Sequence, residues 1–217
     1  MTSGDALQIE DMPLELLSAP IDWFFFEHLR HRQLCRLIDE VARSGEIEAR
    51  SVARVVRFLR FERPLHILDE EEDLFPLLRR RSLSEDELEE VLDQLSADHL
   101  ADADRSAEAR TILEQALAVG SLPEGGGAQQ LLHEFASREW QHLALENAVV
   151  LPIARLRLSL KDLDGLAGRL AARRGLVLEK SQPGDHVQAP GRGLRRAHAR
   201  PMASGLRFCP PSREGGQ

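Results

Sequence analysis

Two stretches of this sequence share one pattern and decide the fold: HILDEEEDLFP at residues 66–76 and HLALENAVVLP at residues 142–152. In each stretch a Glu follows a His by four residues, and a Pro follows the same His by ten. The four-residue spacing places the two side chains on one face of an α-helix, one turn apart. A single pair of this kind is common on protein surfaces, whereas two copies with the same Pro offset indicate a shared structural role.

The residues around both motifs predict an all-α fold. Apolar side chains recur at three-to-four spacing in four long segments, at about residues 20–44, 47–80, 84–119 and 128–158. A short fifth helix follows, capped by Ser159 to Asp162 and ending near Gly175. Long helices joined by short turns pack most simply as an up-down-up-down antiparallel four-helix bundle. Pro64 and Pro76 should kink the second helix, and no alternating run predicts a strand.

We expect three parts along the chain: an N-terminal extension at residues 1–17, a bundle domain at 18–178, and a disordered basic tail at 179–217. The tail is rich in Gly, Pro and Arg, and its apolar residues are too few to bury a core. Residues 181–217 contain six Arg against Asp185 and Glu214, which is a charge of +4. Because the net charge is -8, the rest of the chain carries -12.

Charge and composition narrow the function classes. An acidic body argues against nucleic acid as a partner, since phosphate contacts need clusters of Lys and Arg. No apolar run is long enough for a membrane span, and the first residues lack the features of a secretory signal. The only two cysteines, Cys35 and Cys209, are far apart and do not suggest a disulfide scaffold. We therefore expect a cytoplasmic protein that binds neither membrane nor nucleic acid.

One histidine from each long helix falls at a similar depth in the predicted bundle. Counted from turns near Gly45, Ser82 and Pro123, the depths differ by one to five residues, or roughly 2–8 Å at 1.5 Å rise per residue. The Glu of each motif falls in the same layer. The candidate metal ligands are His28, His66, Glu70, His99, His142 and Glu146.

These residue types suit a pair of metal ions. Imidazole is a good terminal ligand for Fe, Zn or Mn, and a carboxylate can bridge two cations with its two oxygens. Two His for each ion and both Glu as bridges would leave open positions for water, hydroxide, dioxygen or peroxide. A single structural Zn needs only four ligands, often including Cys. The alternative is that these histidines are ordinary core or surface residues that hold no metal.

Several nearby residues are assigned less directly. His31 could contact the site itself, but a position beside a ligand or at the surface is favoured, and Asp102 either orients His99 or is a surface carboxylate. The acidic run at residues 69–73 should be mostly solvated, with Glu70 alone turned inward. Glu71, about 100° further round the helix, should therefore be unimportant for metal binding.

At these positions the sequence resembles the hemerythrin-like, or HHE cation-binding, family. The resemblance covers about residues 18–178, from Glu27-His28 through both motifs to Leu170–Gly175. It implies an up-down-up-down four-helix bundle that holds a non-haem di-iron centre on the six candidate ligands. Oxygen-carrying hemerythrins have a His where this chain has Ala103, and an Asp five residues after the His of helix four where this chain has Glu146 at four. These departures weaken the oxygen-carrier role and leave the cation-binding pattern intact.

Three functions follow from this interpretation. The first is a protein whose di-iron centre binds dioxygen, or senses oxygen or iron. The second is a di-iron oxidase or a peroxide-consuming enzyme, which an acid–base group beside the site would favour, but the sequence shows no clear one. The third is a bundle with a relic or single-metal site that acts through partners. Iron is the expected metal, with Mn or Zn as alternatives, and the expected small partner is dioxygen, another diatomic molecule or peroxide.

Overall fold

The computed structural model describes residues 8–178 and 194–196, and it confirms the expected all-α class for the body of the chain. Short 3-10 turns lie at Leu14–Ser18 and Ser84–Asp86. Three π-helical turns lie at Phe58–Glu62, Glu70–Leu74 and Glu146–Val150. The α-helices of the described residues are α1 (Pro20–Ser44), α2 (Ala49–Arg57), α3 (Arg63–Asp69), α4 (Phe75–Arg81), α5 (Leu88–Val119), α6 (Gly127–Leu145), α7 (Leu151–Arg157) and α8 (Leu160–Arg173).

A π-helical turn precedes each of the two prolines expected to kink the second helix, and a third one precedes Pro152. Each turn ends two residues before a proline, namely Pro64, Pro76 or Pro152. Proline has no N–H to donate, and its ring clashes with the carbonyl four residues earlier, so the helix widens locally. As a result α2, α3 and α4 form one continuous helical run, and α6 and α7 form another. Glu70 and Glu146 each occupy the first position of a π turn.

The helix ends follow local chemistry, with one correction. Gly45 ends α1 at a φ of 69°, a conformation that glycine adopts without strain. Ser159 caps α8 as expected, and Asp162 bonds back to it. The third long helix begins at Leu88 and not near Ser84, because the Asp86 carboxylate accepts from the Leu83 N–H and closes a separate 3-10 turn.

A polar layer crosses the middle of the molecule between two apolar cores. Along α1 the order is Phe24 in one core, then His28, then Leu34 in the other core. Along α5 it is Leu95, His99 and Ala109. The other two long segments pass through the same three levels in the reverse order, so all four bring polar side chains to one level.

The long helices contact one another in a ring. α1 packs against α6 and α2, and α5 packs against α6 and α2. Late residues of one segment meet early residues of the next. For example, Arg60 donates to Glu114, whereas Arg79 donates to Asp93. α8 packs against the first 3-10 turn, α1 and the π turn at Glu70–Leu74.

The expectation that the chain has no strand is wrong at its C-terminal side. Leu176–Leu178 (β1) pairs in antiparallel register with Leu194–Arg196 (β2). Three-residue strands joined by backbone hydrogen bonds are too short to produce an alternating sequence pattern. Residues 194–196 belong to the predicted disordered tail, the remainder of the tail lies outside the described residues, and its disorder stays a prediction.

The N-terminal side also contributes to the core. Ile9 and Leu17, from the predicted extension, are buried against the two apolar clusters. Among the residues that the structure describes, no helix has both the length and the apolar composition that crossing a membrane requires.

Candidate metal centre

The six candidate ligands meet in the polar layer as two overlapping groups. One ligand atom of each member lies within 4.8 Å of those of the other members of its group. Both carboxylates belong to both groups, so the histidines divide two and two. The first group is His28, His66, Glu70 and Glu146, and the second is Glu70, His99, His142 and Glu146.

Glu70 turns its two oxygens to different groups. Its Oε1 lies 3.5 Å from His28 Nε2 and 3.3 Å from His66 Nε2. Its Oε2 lies 3.4 Å from His99 Nε2. This is the orientation that a carboxylate needs in order to bridge two cations.

Glu146 repeats the arrangement from the opposite helical run. Its Oε2 lies 3.4 Å from His28 Nε2, and its Oε1 lies 3.1 Å from His142 Nε2. The two glutamates therefore lie between the two pairs of imidazoles, and both side chains are 1 % exposed.

The outer nitrogen of each histidine faces an oxygen from a neighbouring helical segment. At hydrogen-bond distance, as for His28, His66 and His99, such a partner fixes the ring and holds the proton on Nδ1, so that the Nε2 lone pair points inward. The four pairs are His28 Nδ1 with Asn147 Oδ1 at 3.1 Å, His66 with Glu27 Oε2 at 3.0 Å, His99 with Glu71 Oε1 at 2.6 Å, and His142 with Asp98 Oδ2 at 3.9 Å.

The four outer partners could have been found from the sequence, because each is the immediate chain neighbour of a candidate ligand. Glu27 precedes His28 but holds the histidine of the next helix, and the same shift by one helix applies to the other three. Asn147, in the last of the four segments, contacts His28 in the first. What the sequence alone could not supply was the direction of this shift, because it depends on how the helices are arranged around the centre.

The inner face of the site carries polar atoms without partners. Among the described residues, five buried side-chain atoms there lack a hydrogen bond: His28 Nε2, His142 Nε2, Glu70 Oε2 and both Glu146 oxygens. Burial of such atoms costs free energy unless a counterpart is supplied. Because they are imidazole nitrogens and carboxylate oxygens converging on one space, the donor set fits a pair of metal ions.

Electrostatics in the metal-free site favour charged imidazoles. Burial lowers the pKa of His66, but Glu70, Glu27 and Glu146 outweigh it and raise that pKa to about 10. Burial likewise opposes the charge on His142, and Glu146 and Glu70 raise its pKa to about 9. The carboxyl pKa of Glu70 is lowered well below its usual range, since its histidine neighbours outweigh burial. Metal ions must therefore displace protons.

The acidic run at residues 69–73 differs from the expectation. Asp69 and Asp73 are buried as well as Glu70, because arginines of the α8 segment cover them. Glu71 is not a bystander either, since its carboxylate accepts from His99 and from the Ser96 hydroxyl. The acidic composition of the run suggested exposure to solvent, because nothing in residues 69–73 themselves shows that α8 packs against them.

His31 lies beside the site, as one of its two expected placements had it. It is 1 % exposed, its ring centroid is 4.4 Å from that of His66, and its Nδ1 is 2.8 Å from Glu139 Oε1. Glu139 also accepts from Arg63 Nε and Nη2 at 3.1 and 3.0 Å. Burial and the charge on His66 lower the pKa of His31 to about 4, with Glu139 opposing them.

Asp102 neither orients His99 nor lies at the surface. Its side chain is buried and accepts from Arg105 at 2.7 Å and from Arg138 at 3.0 Å. The carboxylate that orients His99 is Glu71. Spacing along α5 could not identify Glu71, because it reaches His99 from a different helix.

Comparison with known proteins agrees with this geometry. The family model described as the Hemerythrin HHE cation binding domain matches residues 19–154, which is more than half of the chain. The comparison with curated proteins found no match. The predicted resemblance is therefore confirmed, and the chain belongs to the hemerythrin HHE cation-binding family.

Proposed function

We propose that this protein holds a non-haem di-iron centre that binds dioxygen or senses oxygen or iron. His28 and His66 would hold one ion, His99 and His142 the other, and Glu70 and Glu146 would bridge them. The observation that carries the proposal is that two candidate metal groups share both buried carboxylates. Two separate mononuclear sites would not share their acidic ligands.

The course of the chain is part of the proposal. Contacts run in opposite order between successive segments: Glu27 meets His66 while Arg30 meets Glu62, and Asp98 faces His142 while Asp102 meets Arg138. This order supports an up-down-up-down bundle, for which we propose the bounds 18–178. Such a bundle presents one ligand level from all four helices.

The chain's own residues would bury the centre, orient the histidine rings and offset the charge of the ions. The apolar cores above and below the layer exclude water, the outer partners hold each imidazole ring, and the two glutamates lower the net charge of two nearby cations. Iron, when bound, would supply redox chemistry and open positions for a small ligand. All six donors are nitrogen or oxygen, which suits iron, and Mn and Zn remain outcomes of the test.

A second candidate, a di-iron oxidase or peroxide-consuming enzyme, is favoured by one observation. Such chemistry needs an acid–base group beside the centre. The buried His31–Glu139 pair, in ring contact with His66, is a group of that kind. His31→Gln should slow peroxide consumption and leave the metal content unchanged if the protein is an enzyme, and should change neither if it is a binding protein.

Elemental analysis and spectra test the proposal together. Protein reconstituted with iron should contain about two iron ions per chain. A stable spectral form under oxygen supports binding, whereas rapid turnover of peroxide supports the enzyme. Zero or one ion after careful reconstitution would mean that the site is a relic or a single-metal site and that the di-iron proposal is wrong. A cytoplasmic location and dioxygen or peroxide as the small ligand stay predictions.

A further inference from the structure

The carboxylate that holds His66 is itself held from outside the four long helical segments. Glu27 Oε2 accepts from His66 Nδ1, and Glu27 Oε1 accepts from Arg174 Nη2 at 3.1 Å. The same nitrogen donates to Asp69 Oδ2 at 2.6 Å. A chain of two contacts therefore leads from a candidate ligand to Arg174, the residue that follows α8.

Arg174 is fixed in place by its own surroundings. Its guanidinium carbon lies 4.5 Å from the centroid of the Trp23 ring, and its Nη1 donates to the Leu170 carbonyl at 3.0 Å. Its side chain is 12 % exposed, and that of Glu27 is 7 % exposed. Because the arginine cannot rotate freely, the carboxylate between it and His66 has one favoured orientation.

The other outer partners have no equivalent support from α8. Glu71, Asp98 and Asn147 face their histidines directly, and among the described residues none of the three pairs with Arg169, Arg173 or Arg174. Arg174 also lies beyond residues 19–154, the part that matches the family model. The His66 side of the centre thus depends on a segment outside the matched region.

We propose that Arg174 is a positioning residue for His66 and acts through Glu27. The inference rests on the proposed function, since it assigns a role toward the same metal ions. With Arg174 removed, the buried Glu27 carboxylate loses the cation that offsets its burial and orients it, and the His66 ring loses its fixed direction. Outer partners of metal ligands are typically worth 10- to 100-fold in metal affinity, so we expect a loss of about 10-fold.

A double-mutant cycle tests the route. The dissociation constant for Zn²⁺ or Co²⁺ is measured by competition with a coloured chelator for Arg174→Ala, Glu27→Ala, Glu71→Ala and the two double variants containing Arg174→Ala. The effects of two substitutions are non-additive when the residues act through the same contacts, and they add when the two sites are independent. Arg174→Ala should therefore add little to Glu27→Ala, within about 3-fold, but should multiply the effect of Glu71→Ala. Additive losses with Glu27→Ala would overturn the inference.

Two further variants exclude a merely structural effect. Arg174→Lys keeps the charge and the stem over Trp23, and should recover part of the affinity. Arg155→Ala removes an exposed arginine that pairs with Asp22 and lies over Phe25, so it should leave the dissociation constant unchanged. If Arg174→Lys is as weak as Arg174→Ala and Arg155→Ala is equally weak, the effect is general and the inference is wrong.

Chemical rescue gives the sharpest readout. Glu27, Trp23 and Arg174 line a cavity of about 420 Å³ that is open to solvent, so a small cation can reach the space left by Arg174→Ala. Guanidinium at about 10–50 mM, far below denaturing concentrations, should tighten metal binding to Arg174→Ala, and the same concentration of urea should not. No rescue, or equal rescue by urea, would contradict the inference. Failure of the native protein to bind two ions would instead refute the proposed function.

Discussion

The turns at Glu70–Leu74 and Glu146–Val150 have the same backbone form and opposite surroundings. Both are π-helical, both begin with an inward glutamate, and both end two residues before a proline. The first is acidic and is covered by Arg169, Arg173 and Arg174. The second is apolar, and Val150 is fully buried in the core. The shared spacing of His, Glu and Pro therefore determines the π-helical turn and the position of its glutamate. The other residues of each turn determine which contacts hold it in place.

The bridging carboxylates should respond alike in spite of this difference. Glu70→Gln or Glu146→Gln removes a negative charge from between two cations and keeps the size of the side chain. Iron content should fall from about two ions per chain to one or none. Elemental analysis after reconstitution measures this, with the exposed Glu90→Gln in α5 as the control that keeps both ions. If either inward variant retains two ions, the two turns are not equivalent bridges.

The two turns should differ in how they lose stability. Arg173→Ala removes one of the two arginines that pair with each of buried Asp69 and Asp73, which keep Arg174 and Arg169, and costs about 2 kcal/mol at pH 7.5. Val150→Ala leaves a cavity and costs about 2 kcal/mol. Urea unfolding of the metal-free protein measures both free energies of unfolding.

Lowering the pH should distinguish the stability loss of Arg173→Ala from that of Val150→Ala. Burial, only partly opposed by its arginines, raises the pKa of Asp69, and removal of Arg173 raises it further. With only Arg174 left to stabilise its charge, the Asp69 carboxyl takes up a proton more readily as the pH falls, so the loss caused by Arg173→Ala should shrink. The loss caused by Val150→Ala should not change, because no charge is involved. Equal pH dependence in both variants would show that the first turn is held by packing and not by its ion pairs.

The sequence predicts the candidate ligands better than it predicts the contacts that hold them in place. Ligand types and levels follow from the four-residue pairs and from helix rise, which are local properties. Burial of Asp69 does not follow, because its arginines come from more than a hundred residues away. The β1–β2 pair was missed for a related reason, since its backbone bonds leave no side-chain pattern. The outer partners of the histidines are predictable in part. The sequence shows that each lies next to a candidate ligand, but which helix carries the histidine that it contacts depends on the tertiary structure.

Metal binding should release protons from both motifs in different pH ranges. With a pKa of about 10 for His66 and about 9 for His142, both rings hold a proton at pH 7.5 in the metal-free protein. Ions bind the neutral ring, so loading at pH 7.5 should release about two protons from these two rings, in addition to any that His99, whose pKa is also raised, still holds. The release should fall as the pH rises through 9 and 10, because the rings are then already neutral. A pH indicator in weakly buffered solution measures this, and no release at pH 7.5 would contradict the shifts.

The smallest expected effect concerns the outer partner in the second turn. Asn147 is neutral where Glu71, at the same position after its glutamate, is charged. Asn147→Asp would give His28 an acidic partner, and a charge-assisted hydrogen bond makes an imidazole a stronger donor to a metal. The new charge also lies near Glu146, which disfavours the metal-free state. Both effects favour the loaded protein, so affinity for Zn²⁺ should rise by about 3-fold. Asn147→Ala, which removes the acceptor, should lower the affinity, and the chelator competition assay measures both. If Asn147→Asp binds more weakly than the native protein, the neutral partner is required at that turn, and the difference between the two turns extends to the ligands themselves.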